Sequence, residues 1–95
     1  MAGSTPAVTA DCRPRIAPGY RLQWEAAQAA HVLLYPEGMV KLNQSAGEIL
    51  KRCDGVRDVA AIVDDLEAAF SAQGLRPEVD AFLKIATEQR WVEWA

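Results

Sequence analysis

The chain has 95 residues, half of them apolar (51%) and 24% charged, with a net charge of −3. One small globular domain fits that balance; a membrane-spanning protein, a disulfide-stapled miniprotein and a protein built to neutralise phosphates do not. The longest apolar runs fall far short of the ~20 residues that cross a bilayer, and the first residues lack the basic-then-apolar order of a secretory signal.

In chain order, residues 1–11 are small and polar and are expected to form a disordered tail. Residues 13–19, RPRIAPG, are expected to be an extended arm, because a residue preceding proline is pushed out of the helical region. Tyr20, Leu22 and Trp24 alternate with Arg21, Gln23 and Glu25, the period of a half-buried strand. Residues 30–35, AHVLLY, are apolar on both faces and predict a strand covered on both sides. Pro36 and Gly38 supply turn chemistry, so a short strand over residues 39–43 closes a hairpin.

The period then changes. Leu42, Ala46, Ile49, Leu50 and Cys53 share one helical face, with Ser45 to Glu48 matching a capping box and Asn43 as a competing cap. Asp54 and Gly55 end this helix. A second helix is predicted over residues 57–70, with Val59, Ile62, Val63, Leu66 and Phe70 as its stripe and Gly74 after it. A third starts at Pro77 and runs to about residue 89, with Val79, Phe82, Leu83 and Ala86 inward. Residues 91–94 alternate again, as a short strand or a docked extension. The class is α+β: a three-stranded antiparallel sheet followed by three helices, winged-helix-turn-helix-like. Three helices at this size are expected to cover one face of the sheet and leave the other face and one strand edge near solvent.

Catalytic chemistry finds little support. The single histidine, His31, sits within a strand; Ser45 reads as a cap and Cys53 as a small core residue. The carboxylates fall on solvated helix faces, and no glycine loop could cradle phosphate. No catalytic, cofactor-binding or metal-ligating residues are assigned, and no enzyme activity is expected. A winged-helix DNA-binding regulator is the nearest alternative. It is disfavoured because residues 77–90 carry Lys84 and Arg90 against Glu78, Asp80 and Glu88, a net of −1.

Protein or peptide binding remains. With Val79 as reference, Phe82, Leu83 and Ala86 lie within about 60° and Ile85 about 120° away on the Phe82 side. Phe82 and Ile85 then flank a groove whose other wall is the short strand at residues 39–43, if that strand is the open edge.

These residues also resemble a family. The runs RIAPGYRLQWE (15–25), HVLLYPEG (31–38), KLNQSAGEIL (41–50) and CDG (53–55) are similar to the PqqD family, pyrroloquinoline quinone biosynthesis protein D, with LLYPEGMVKLN (33–43) the most specific. VDAFL (79–83) fits as well, whereas Arg90 stands where a glycine often precedes the tryptophan. The resemblance spans most of the chain, dividing it into a tail at residues 1–14 and a PqqD-like peptide-binding domain at residues 15–95. It implies a winged-helix-like RiPP recognition element, a module that binds leader peptides of ribosomally made natural products. Such a module acts as a peptide chaperone that binds the precursor PqqA by strand addition and presents it to the radical SAM enzyme PqqE. Carried onto this chain, the peptide-binding residues are Met39, Val40, Lys41, Leu42 and Asn43 on the strand and Val79, Phe82, Leu83, Ile85 and Ala86 on the helix. The implied protein is cytoplasmic, a monomer or weak homodimer, with no nucleic-acid or membrane partner. A structural subunit of the synthase that touches enzyme but not peptide is a further alternative.

Overall fold

The computed structural model describes residues 7–95. Five strands and three helices follow in the order β1 (Pro14–Ile16), β2 (Arg21–Glu25), β3 (Ala30–Tyr35), β4 (Gly38–Lys41), α1 (Gln44–Lys51), α2 (Val59–Phe70), α3 (Arg76–Glu88) and β5 (Val92–Trp94). The expected three-stranded antiparallel sheet is present, in the order β2-β3-β4.

A second, two-stranded ribbon pairs β1 with β5, Arg15 opposite Glu93. Its Arg15–Glu93 ion pair spans the two ends of the chain. The alternating residues near the C-terminus are therefore a strand, and the proline-bearing arm is its partner.

The hydrophobic cluster is continuous across the elements. Leu22, Leu33 and Val40 form one cross-strand row on the helix side of the sheet, and they meet Leu50, Ile62, Leu83 and Val92 in one cluster. The three helices were expected to cover one face of the sheet, and α1 makes the main helix contact with it. α1 lies on β3, α2 bridges α1 and α3, and α3 rests on α2 and β5. On the opposite face Val32 is also fully buried, in register with Gln23 and Lys41.

Local physics corrects several boundaries. β4 stops at Lys41 rather than residue 43, because Asn43 leaves the sheet to cap α1. The Asn43 side chain accepts the Ala46 N–H at 2.8 Å. Ser45 thus lies inside the helix, not at its cap, and Glu48 turns instead to Arg52. α2 begins two residues later than expected, capped by Asp58 through the Ala61 N–H.

Residues 1–6 of the expected tail lie outside the described residues. Residues 9–14 differ from a disordered tail because α2 opens with N–H groups that need acceptors. The carbonyls of Ala10 and Cys12 accept from Ala60 and Val59 at 3.0 and 2.8 Å. Val8 and Cys12 pack on the core at the same place.

α1 and α2 are tied by Arg52, which is buried and bonds Glu48 and Asp65. The Arg52 hydrogen bond is the main reason that Glu48 and Asp65 are held below the ordinary values of 4.5 and 3.8. Depressed acids stabilise the fold above their ordinary range, and the contribution is lost as pH falls through the lower folded values. Chemical denaturation is expected to show a lower urea midpoint at pH 3 than at pH 6, with Arg52→Met narrowing that difference.

Close approach of α1 to β3 depends on Gly47. A Cβ there would lie 2.8 Å from His31 Nδ1 and 3.1 Å from His31 Cβ. Alanine favours a helix over glycine by ~1 kcal/mol, but overpacking costs ~1–3 kcal/mol. Gly47→Ala is expected to destabilise the protein by about 1 kcal/mol, read as a lower urea midpoint at unchanged slope.

Candidate functional site

The strand order leaves β4 at the edge of its sheet. Which of its backbone groups are open follows from the register. The Leu42 N–H donates to the His31 carbonyl at 3.2 Å, which makes residues 31 and 42 a hydrogen-bonded pair. Antiparallel ladders alternate, so Leu33–Val40 and Tyr35–Gly38 are also bonded pairs, while Val32–Lys41 and Leu34–Met39 are not. The N–H and C=O groups of Met39 and Lys41 therefore face away from β3. They present four hydrogen-bonding positions at the exposed margin.

A groove of about 510 Å³ runs between this margin and α3. Its floor is the buried trio Leu42, Ala46 and Ile49, and its walls are Val40 on β4 and Phe82 and Ile85 on α3. Ile85 is 51% exposed although apolar. Trp91 closes one end, its ring centroid 6.5 Å from that of Phe82. Lys41 stands on the strand side and Glu78 on the helix side.

Six of the ten residues expected at a peptide site line this groove: Val40, Lys41, Leu42, Asn43, Phe82 and Ile85. Val79, Leu83 and Ala86 do not; they are at most 1% exposed and hold α3 against the core. Met39 contributes backbone only, since its side chain alternates to the opposite face of β4 from Val40 and is exposed there. The rest of the groove lining, which the sequence did not single out, is Ser45, Ala46, Ile49, Glu78, Ala81 and Trp91. Part of that signal was readable: Glu78, Ala81, Phe82 and Ile85 form one row at helical spacing, next to the buried row rather than on it.

The nucleophile and base candidates are used in packing. Cys53 is buried, its thiol donates to the Ile49 carbonyl at 3.3 Å, and burial pushes its pKa up to about 12. His31 packs edge-on to Trp24, ring centroids 5.0 Å apart. Among the described residues, no group of three or more His, Cys, Asp or Glu side chains could hold a metal ion. None of the described helices is long and apolar enough to cross a membrane.

The Trp91 end of the groove is set by how α3 terminates. The Trp91 N–H reaches the Ala86 carbonyl at 2.9 Å and the Arg90 N–H reaches Thr87 at 3.1 Å. This is a Schellman motif, with Arg90 in the left-handed position at φ 66°. Glycine takes that conformation without the penalty a side chain brings. The Trp91 carbonyl then accepts from Ala17 at 2.9 Å, which joins the helix end to the β1 arm.

The chain is similar to known proteins in sequence and fold. Residues 30–92 match the family model described as coenzyme PQQ synthesis protein D (PqqD). A PqqA binding protein of Stutzerimonas stutzeri is 52% identical over 81 residues, covering 84% of this chain and 88% of that protein. One from Pseudomonas aeruginosa is 56% identical over 84 residues, covering 87% and 91%. Among solved structures, the solution structure of the PqqD truncation of Methylobacterium extorquens PqqCD, described as a functional stand-alone RiPP recognition element, superposes with a TM-score of 0.67. It is 30% identical and covers 84% of this chain and 87% of that one. The heterocyclase TruD, at 20% identity and TM-score 0.68, shares the fold over 88% of this chain and 12% of its own.

Arg90→Gly is expected to stabilise the protein by about 1 kcal/mol, because a side chain in the left-handed region costs ~1–2 kcal/mol. The measurement is a rise in the urea midpoint with an unchanged tryptophan emission maximum.

Proposed function

Because the chain belongs to the PqqD family, we propose that it is a peptide-binding recognition element of PQQ biosynthesis that takes the PqqA peptide into the groove between β4 and α3. The observation that carries this reading is the pairing of an open strand margin with an exposed apolar helix flank. An extended peptide added to β4 would exchange up to four backbone hydrogen bonds with Met39 and Lys41 while its side chains enter the groove.

Magnitudes decide where the affinity lies. Four such bonds contribute about 0.5–1.5 kcal/mol each, and ordering each peptide residue costs about 1–2 kcal/mol. Backbone pairing therefore roughly cancels against ordering and sets direction and register. Net binding comes from apolar side chains, about 1.5–3 kcal/mol for each one fully buried. Two or three of them seated on Ile49, Phe82 and Ile85 contribute about 3–9 kcal/mol. After an association cost of about 4 kcal/mol or more this falls short of the ~8 kcal/mol of micromolar binding, so tight capture needs side-chain contacts beyond these three.

On this reading the protein makes and breaks no covalent bonds. It presents the peptide to PqqE in the cytoplasm, as a monomer or weak homodimer. The commitment of His31 and Cys53 to packing supports a carrier rather than a catalyst.

Ile85→Asp places a charge in the groove at a position that is exposed in the free protein, so the fold is expected to survive. Calorimetric affinity for PqqA should fall by about tenfold or more. In the unmodified protein the peptide should also slow hydrogen exchange at the Met39 and Lys41 amides. Undiminished affinity in the folded variant, together with no protection at those amides, would remove the groove from the site.

A further inference from the structure

A second cavity adjoins one end of the groove. It has a volume of about 190 Å³ and lies among α1, the last turn of α2 and the first turn of α3. Its apolar walls are Ile49, Leu66, Phe70 and Leu75. Ser45, Ile49 and Glu78 line both spaces, so the two adjoin. Trp91 and Ile85 line the groove alone. Glu78 is about 10 Å along α3 from Ile85, which puts the cavity beyond the end of the groove remote from the tryptophan.

Phe70 is the second observation. Helical periodicity assigns it to the core stripe of α2, yet it is 46% exposed at the rim of this cavity. The charges point the same way. Of the two carboxylates at the rim, Glu48 is neutralised by Arg52 at 2.8 Å. Glu78 has no ion pair among the described residues.

Backbone pairing cannot extend to this point. β4 ends at Lys41, and the chain turns at Asn43 into α1. A peptide strand running along β4 in that direction loses its hydrogen-bonding partner at the place where the cavity begins. From there only side chains can hold it.

Resting on the groove reading above, we propose that the bound peptide continues past β4, places one apolar side chain in the α1–α2–α3 cavity and sets a neighbouring lysine or arginine against Glu78. Recognition then uses two side-chain sites joined by a short paired stretch. A peptide able to pair with β4 but lacking a basic residue beside an apolar one is discriminated against.

A methyl NMR titration of the full chain with synthetic PqqA reads both sites at once. The Leu66 and Leu75 methyls are expected to shift along one binding curve with Ile85. Movement of Ile85 alone overturns the second site and leaves the groove reading standing; movement of none of the three overturns the groove reading itself. Ala72→Trp fills the cavity from the loop that lines it and is expected to weaken binding by about tenfold, with β4 amide shifts of the free protein unchanged. Affinity equal to that of the unmodified chain overturns the proposal. Glu78→Gln should lower affinity several-fold at low salt and lose that effect near ~1 M salt, where charges are screened within about 3 Å; no effect at low salt overturns the basic contact.

Discussion

Burial of one row of α3 positions the helix wall of the groove. Val79, Leu83 and Ala86 are withdrawn from solvent against α2, β5 and the core. Burying an aliphatic side chain of this size is worth ~1.5–3 kcal/mol, so the helix cannot roll about its axis without losing several such contributions. With that face committed, the adjacent row of Glu78, Ala81, Phe82 and Ile85 is turned toward β4 at a fixed spacing. The groove is the space left between a helix that cannot rotate and a strand that has no neighbour.

The ends of α3 are secured by different means, and residues near both ends of the described chain, Val8, Cys12, Ile16, Trp91 and Trp94, are drawn against the core. At the C-terminal end, the Schellman turn through Arg90 directs Trp91 against Phe82 and hands the chain to β5, which pairs with β1. At the N-terminal end, the Glu67 side chain accepts the Leu75 N–H at 3.0 Å and fixes the loop between α2 and α3. The N-terminal segment supplies carbonyls to the first turn of α2. Without them the opening donors of that helix would have to find water at a partly covered surface. The arm and the ribbon thus hold the helical layer to the sheet from outside the hairpin.

An open edge beside apolar surface is ordinarily a hazard for aggregation. Here the edge is four residues long, ends in a helix cap and carries Lys41 on its margin. Brevity limits what backbone pairing alone can capture, because the bonds gained at most offset the ordering they require. Selectivity passes to the side chains entering the groove and to whatever charge meets Lys41 and Glu78.

Alternation at residues 20–25, the turn at Pro36 and the apolar spacing of the three helices determined the element order and the α+β class, because period and turn chemistry are local properties of the chain. The membership of Phe82 and Ile85 in a groove facing the third strand of the hairpin was legible for the same reason. The choice between Asn43 and Ser45 as cap was not, since both are competent acceptors and only the point where β4 leaves the sheet selects one. Nor could spacing alone separate Val79, Leu83 and Ala86, which are buried, from the row beside them that lines the groove. Neighbouring rows on a helix differ by only ~60–100°, and which row is inward depends on where α2 and β5 press. The pairing of β1 with β5 and the capping of α2 by Ala10 and Cys12 join residues far apart in the chain. They exist only because the folded core brings unsatisfied donors within reach of distant carbonyls, a demand that no local pattern encodes.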